Sequence, residues 1–179
     1  LVCAGLLAGR NKLQKLAYFI FAFGAWDIFY YIGLKIFLGW PSSFFTWDVL
    51  FLIPITWLGP VLAPVICALT MMLLSICIVA PQKNGYEVKI DPVQWCLLVS
   101  GAFIIFCTFI WDYGKLIIQN GLLPDILTLA GNERFLQLSS QYIPVQYNWY
   151  LFAAGEILIL AAIALLVKRV TRGVGPLKF

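Results

Sequence analysis

The 179 residues predict an all-α fold, a single polytopic bundle of about five transmembrane helices with an interfacial cap on its outer face. Three observations carry this reading. Hydrophobic residues make up 63% of the chain and charged residues only 11%, against roughly 45–50% and about 25% in soluble domains. Mean hydropathy is +0.94. Apolar runs recur at lengths near the ~20 residues needed to cross a ~30 Å hydrocarbon layer. One soluble core of this size cannot bury so much apolar surface, and a disordered chain would lack it.

The elements follow in order. Residues 1–9, LVCAGLLAG, are apolar but rise only about 14 Å as a helix. They read as the end of a helix that starts before the first residue, with a cleaved signal peptide as the weaker reading. Further spans are expected over residues 16–38, 60–80, 93–118 and 149–167. Pro60 starts its span because proline suits a first helical turn, and Pro64 is expected to bend that helix. Residues 49–58 are expected to lie on the outer interface or in a shallow re-entrant segment. Within residues 119–148, Ile126, Leu127, Leu129, Phe135, Leu136 and Leu138 form an apolar face beside Asp125, Glu133 and Arg134. That pattern predicts a helix lying flat at the interface and ended by Pro144.

Charge placement gives the orientation. Arg10, Lys12 and Lys15 precede the 16–38 span, and no Lys or Arg follows it before the next. Lys83 and Lys89 come next, then Arg134 alone, then Lys168, Arg169, Arg172 and Lys178. The positive-inside rule therefore puts the C-terminus in the cytoplasm. Trp40, Trp47, Trp57 and Trp149 fall on the opposite side as interfacial anchors. Small residues at Gly5, Gly9, Ala22, Gly24, Ala25, Ala153, Ala154 and Gly155 allow close helix approach, within the bundle or against another subunit.

Composition also limits the chemistry. The chain has no histidine, so it holds no imidazole-ligated haem or zinc and no Ser-His-Asp triad by itself. Cys3, Cys67, Cys77, Cys96 and Cys107 form no C-x-x-C pair, and no metal site is expected. Ionisable residues inside spans carry the strongest signal. Asp27, Lys35, Asp112, Lys115 and Glu156 all map to the middle or outer half and are expected to form one polar cluster. Within it, Asp112 and Lys115 stand at i, i+3 and can form an ion pair. Asp27 shares a helical face with Tyr31, and Trp26, Tyr31 and Trp111 outline an aromatic pocket. The Trp-Asp pair recurs at 26–27, 47–48 and 111–112, although the flanks match too poorly for a repeat.

The stretches WDIFYYIGLKIFLGWP, TWDVLFLIPITWLGPVLAPV and YIPVQYNWYLFAAG resemble a family of small bacterial multi-pass membrane proteins. The resemblance covers under half the chain and implies a bacterial inner membrane, with no activity to transfer. The leading functional expectation is a non-catalytic subunit of a larger membrane complex, docking partners through helix faces and the outer cap. The alternatives are a small proton-coupled transporter or channel using intramembrane carboxylates, and a binder of a lipid, quinone or pigment. Expected partners are membrane lipids and other membrane subunits or a second copy, with no nucleic acid.

Overall fold

A computed structural model describes residues 1–52, 56–121, 142, 144 and 146–172. Among these lie five helices: α1 (Val2–Ala8), α2 (Lys12–Leu38), α3 (Leu62–Lys83), α4 (Pro92–Gln119) and α5 (Trp149–Arg172). The last four are long and apolar enough to cross a membrane.

Local chemistry sets the helix ends. The Asn11 side chain accepts a hydrogen bond from Gln14 N and starts α2. Asp91 and Gln94 form a reciprocal capping box at the start of α4, with Pro92 in its first turn. Such caps satisfy backbone N–H groups that the helix cannot and contribute about 1 kcal/mol each. Gly39 closes α2 at φ 69°, a left-handed conformation that a Cβ would strain.

The expected bundle thus stands, with one addition. Between α2 and α3 the chain forms an antiparallel hairpin of β1 (Trp47–Phe51) and β2 (Trp57–Pro60). The helical fold stands, and the hairpin falls in the stretch, residues 49–58, expected at the outer interface or in a shallow re-entrant segment. The physical reason is backbone satisfaction: paired strands supply each other's hydrogen bonds where lone extended chain could not. Pro60 ends β2 opposite Trp47 instead of starting the span. Pro64 consequently falls in the first turn of α3, where its missing N–H interrupts no helical bond, so the expected bend has no cause.

The long helices alternate in direction. Ser75 Oγ donates to Ala17 O at 2.7 Å, tying late α3 to early α2. Arg169 Nη1 lies 3.2 Å from Asp91 Oδ2, tying the end of α5 to the start of α4. Lys12, Lys15, Lys83, Lys89, Lys168 and Arg169 therefore share one end of the bundle, and the hairpin occupies the other. Close approach rests on glycines. A Cβ on Gly24 would stand 2.7 Å from Ala68 O, and one on Gly101 would stand 2.6 Å from Gly155 O. Gly5 and Gly9 likewise press α1 onto Lys15 and Phe19 of α2, so these small residues serve packing within the chain. Buried residues gather in two clusters. Ala17, Ile78, Val79, Val88 and Leu166 fill the basic end, and Ala63, Ile105, Phe109, Tyr147 and Phe152 fill the hairpin end. The expected interfacial helix within residues 119–148, including Asp125, Glu133 and Arg134, lies outside the described residues, as does the tail with Lys178.

Candidate functional site

The hairpin folds back over α2, α3 and α4 and encloses a cavity of about 300 Å³. Its wall is aromatic. Tyr30 stacks on Trp26 at 5.9 Å, and Trp26 lies 5.9 Å from Phe23. Phe23 stacks on Phe51 at 6.3 Å. Phe51 meets Trp57 edge-on at 5.0 Å, and Trp57 stacks on Phe109 at 6.3 Å. Gly59 lets β2 settle here, because a Cβ would stand 3.0 Å from the Phe109 ring. Pro64, Cys67 and Met71 of α3 complete the lining.

Two carboxylates interrupt this apolar surface, Asp27 from α2 and Asp48 from β1. Tyr31 donates to Asp48 Oδ2 at 2.8 Å, and Val49 N donates to Oδ1 at 2.8 Å. Asp27 makes no hydrogen bond or ion pair among the described residues, and it stands near enough to Asp48 for their charges to repel. Among the described residues, no Lys or Arg belongs to the lining. The site is therefore an acidic recess with aromatic walls, short of positive charge.

A second polar group lies behind it. Glu156 of α5 is buried, and Thr70 of α3 donates to its Oε2 at 3.0 Å. Cys67 faces the same carboxylate from the cavity floor. Beside them the Thr108 hydroxyl donates to Ile105 O at 2.6 Å. Its one proton is thereby committed, so Tyr147 donates to Thr108 Oγ1 across 2.7 Å. Burial pushes the Tyr147 phenol above its ordinary value.

The five intramembrane charges thus do not form the expected single cluster. Asp27 faces the cavity and Glu156 sits behind it. Lys35 turns outward and donates to Pro41 O at 2.9 Å and Gly39 O at 3.3 Å, which caps its own helix. Its long stem lets the ammonium reach these polar carbonyls without entering the bundle. The expected Asp112–Lys115 ion pair is absent. Lys115 Nζ lies 5.1 Å over the Trp111 ring, and Asp112 accepts from Tyr142 instead. Partial burial and the Asp112 charge push that phenol up to about 12. Trp111 is 47% exposed on α4 and takes no part in the cavity, so the expected aromatic pocket keeps Trp26 and Tyr31 and loses Trp111. Helix phase explains this, since i to i+4 spacing says nothing about which face meets the hairpin.

The four anchors join ring networks at the hairpin end. Trp40 approaches Tyr31 at 6.4 Å, Trp47 and Trp149 meet Tyr147 at 6.1 and 4.9 Å, and Trp57 walls the cavity. Sequence reasoning passed over Asp48, Thr70, Cys67 and Tyr147 as site residues. The recurring Trp-Asp pair was the available signal for Asp48, because the aspartates of two of its three copies line this cavity. Among the described residues, no three Cys, Asp or Glu side chains converge to hold a metal. No protein-family model, curated protein or solved structure matches the chain.

Proposed function

We propose that this chain is a non-catalytic membrane protein that binds an organic cation, an amine with an apolar body, in the cavity beneath the hairpin. One observation carries the reading: two mutually repelling carboxylates face an aromatic-walled recess that has no basic residue among the described residues of its lining. Aromatic faces attract cations by about 0.5–2 kcal/mol each, and carboxylates add charge-assisted hydrogen bonds. The volume sits at the lower end of small-molecule sites, roughly 300–1,000 Å³, which suits a compact ligand. We place the basic end in the cytoplasm and the cavity toward the outer side of a bacterial inner membrane.

The test uses the protein in lipid nanodiscs and three ligands of equal chain length: octylammonium, octanol and octanoate. Trp26 and Trp57 report occupancy by fluorescence. Octylammonium should bind best, and Asp27→Asn and Asp48→Asn should each weaken it about tenfold, or ~1.4 kcal/mol. Equal binding of octanol would overturn the reading.

A second reading, a subunit of a larger membrane assembly, has its own support. Helix α2 buries only Ala17, Gly24 and Tyr31 and exposes Phe29, Ile32 and Ile36. Native mass spectrometry after gentle extraction separates the two. A companion chain at fixed stoichiometry supports the subunit, and a lone monomer opposes it.

A further inference from the structure

The cavity continues chemically past its floor. Cys67 lines it and faces Glu156 on the next layer of helix. Glu156 is only 7% exposed. Thr70 satisfies its Oε2, but Oε1 has no hydrogen-bond partner among the described residues. Among the described residues, the polar and titratable groups around it are Cys67 and Thr70 from α3, Tyr147 before α5 with its Thr108 partner on α4, and Asp27 of α2 across Cys67. None of these is a base that could balance a carboxylate. An unbalanced charge inside a membrane bundle costs several kcal/mol. Hard metal cations want about six oxygen ligands, far more than one carboxylate and one hydroxyl supply. A proton needs only the free oxygen.

We infer that Glu156 is an internal proton site that exchanges with the cavity past the Cys67 thiol, so that proton and cation occupancy are coupled. The inference rests on the cation reading of the cavity. In the exchange, the O–H bond at Oε1 breaks and the proton passes to water in the cavity. The carboxylate left behind keeps its hydrogen bond from Thr70, and the entering cation supplies the balancing charge. Coupling is reciprocal, so each occupant weakens the other.

Dicyclohexylcarbodiimide, which attacks protonated carboxyls in apolar surroundings, tests this on the full chain in nanodiscs, with peptide mass spectrometry locating the adduct. Glu156 should be labelled, more slowly as pH rises, and several-fold more slowly under saturating octylammonium. Cys67→Leu should slow labelling by blocking the approach. Glu156→Gln should abolish the adduct and weaken the pH dependence of octylammonium affinity while preserving binding itself. If that variant misfolds by size-exclusion and circular dichroism, wild-type labelling with and without octylammonium decides alone. An unlabelled Glu156 in folded protein at acidic pH would overturn the site, and so would labelling unchanged by bound octylammonium. Failure of octylammonium to bind refutes the cation reading and the coupling with it. Labelling of the empty protein against pH then decides the proton site by itself.

Discussion

At the scale of single residues, the polar groups inside this bundle differ in how fully they are partnered. Ser75 and Thr108 spend their protons on backbone carbonyls, so each is locked into helix packing. Thr70 instead spends its proton on Glu156, and Thr70→Val should therefore destabilise the fold by about 1–3 kcal/mol by orphaning a buried acceptor. Chemical denaturation in micelles followed by circular dichroism measures this, and Thr70→Ser should recover most of the loss. Tyr142 and Tyr147 give a pH prediction. Both phenols are held above the ordinary value of 10.0, chiefly by burial. A raised folded value favours the neutral form in the native state. The stability it contributes is complete below pH 10 and falls as pH climbs from there through about 12. Absorbance of tyrosinate, recorded alongside unfolding, should show these two ionising late. Ionisation of all tyrosines together near 10 would contradict the burial.

At the scale of elements, two close crossings and one hairpin decide the architecture. The Gly101–Gly155 contact brings the α4 and α5 backbones together. Gly101→Leu should cost about 1–3 kcal/mol by overpacking, whereas Gly33→Leu, with nothing within 4 Å of its Cβ position, should be close to neutral. Equal effects at the two sites would show that the crossing is not tight. The hairpin acts differently. It contributes Asp48, Phe51 and Trp57 to the cavity, and its seat against Phe109 depends on Gly59. Gly59→Val should displace it, lowering octylammonium affinity at least tenfold while leaving the four long helices intact by far-UV circular dichroism.

At the scale of the whole molecule, the alternation of helices gathers the basic side chains at one end and the hairpin at the other. A C-terminal green fluorescent protein fusion should fluoresce, and alkaline phosphatase inserted after Ser43 should be active in the same cells. The opposite pattern would invert the proposed orientation. The spans were legible because a membrane crossing demands a long apolar run, and its ends carry charge. Residues 93–118 and 149–167 fall within α4 and α5 for that reason. The hairpin was not legible, since WDVLF and WLGP are short apolar runs that read equally as interfacial chain. Asp27 was legible as a costly intramembrane charge, but its companion was not. Lys35, Lys115 and Asp112 looked like companions by depth, and depth does not specify azimuth around a helix.

The amino-acid order by itself determined the number, extent and relative direction of the long helices, because hydrophobic length and charge at the ends act locally along the chain. Only the tertiary structure decided which acids meet. Whether Asp27 faces Asp48, and whether Glu156 sits behind Cys67, depends on helix rotation and on the fold-back of a hairpin. Both are set by packing between segments far apart in sequence, at glycine contacts a few ångströms across, and no local pattern encodes them.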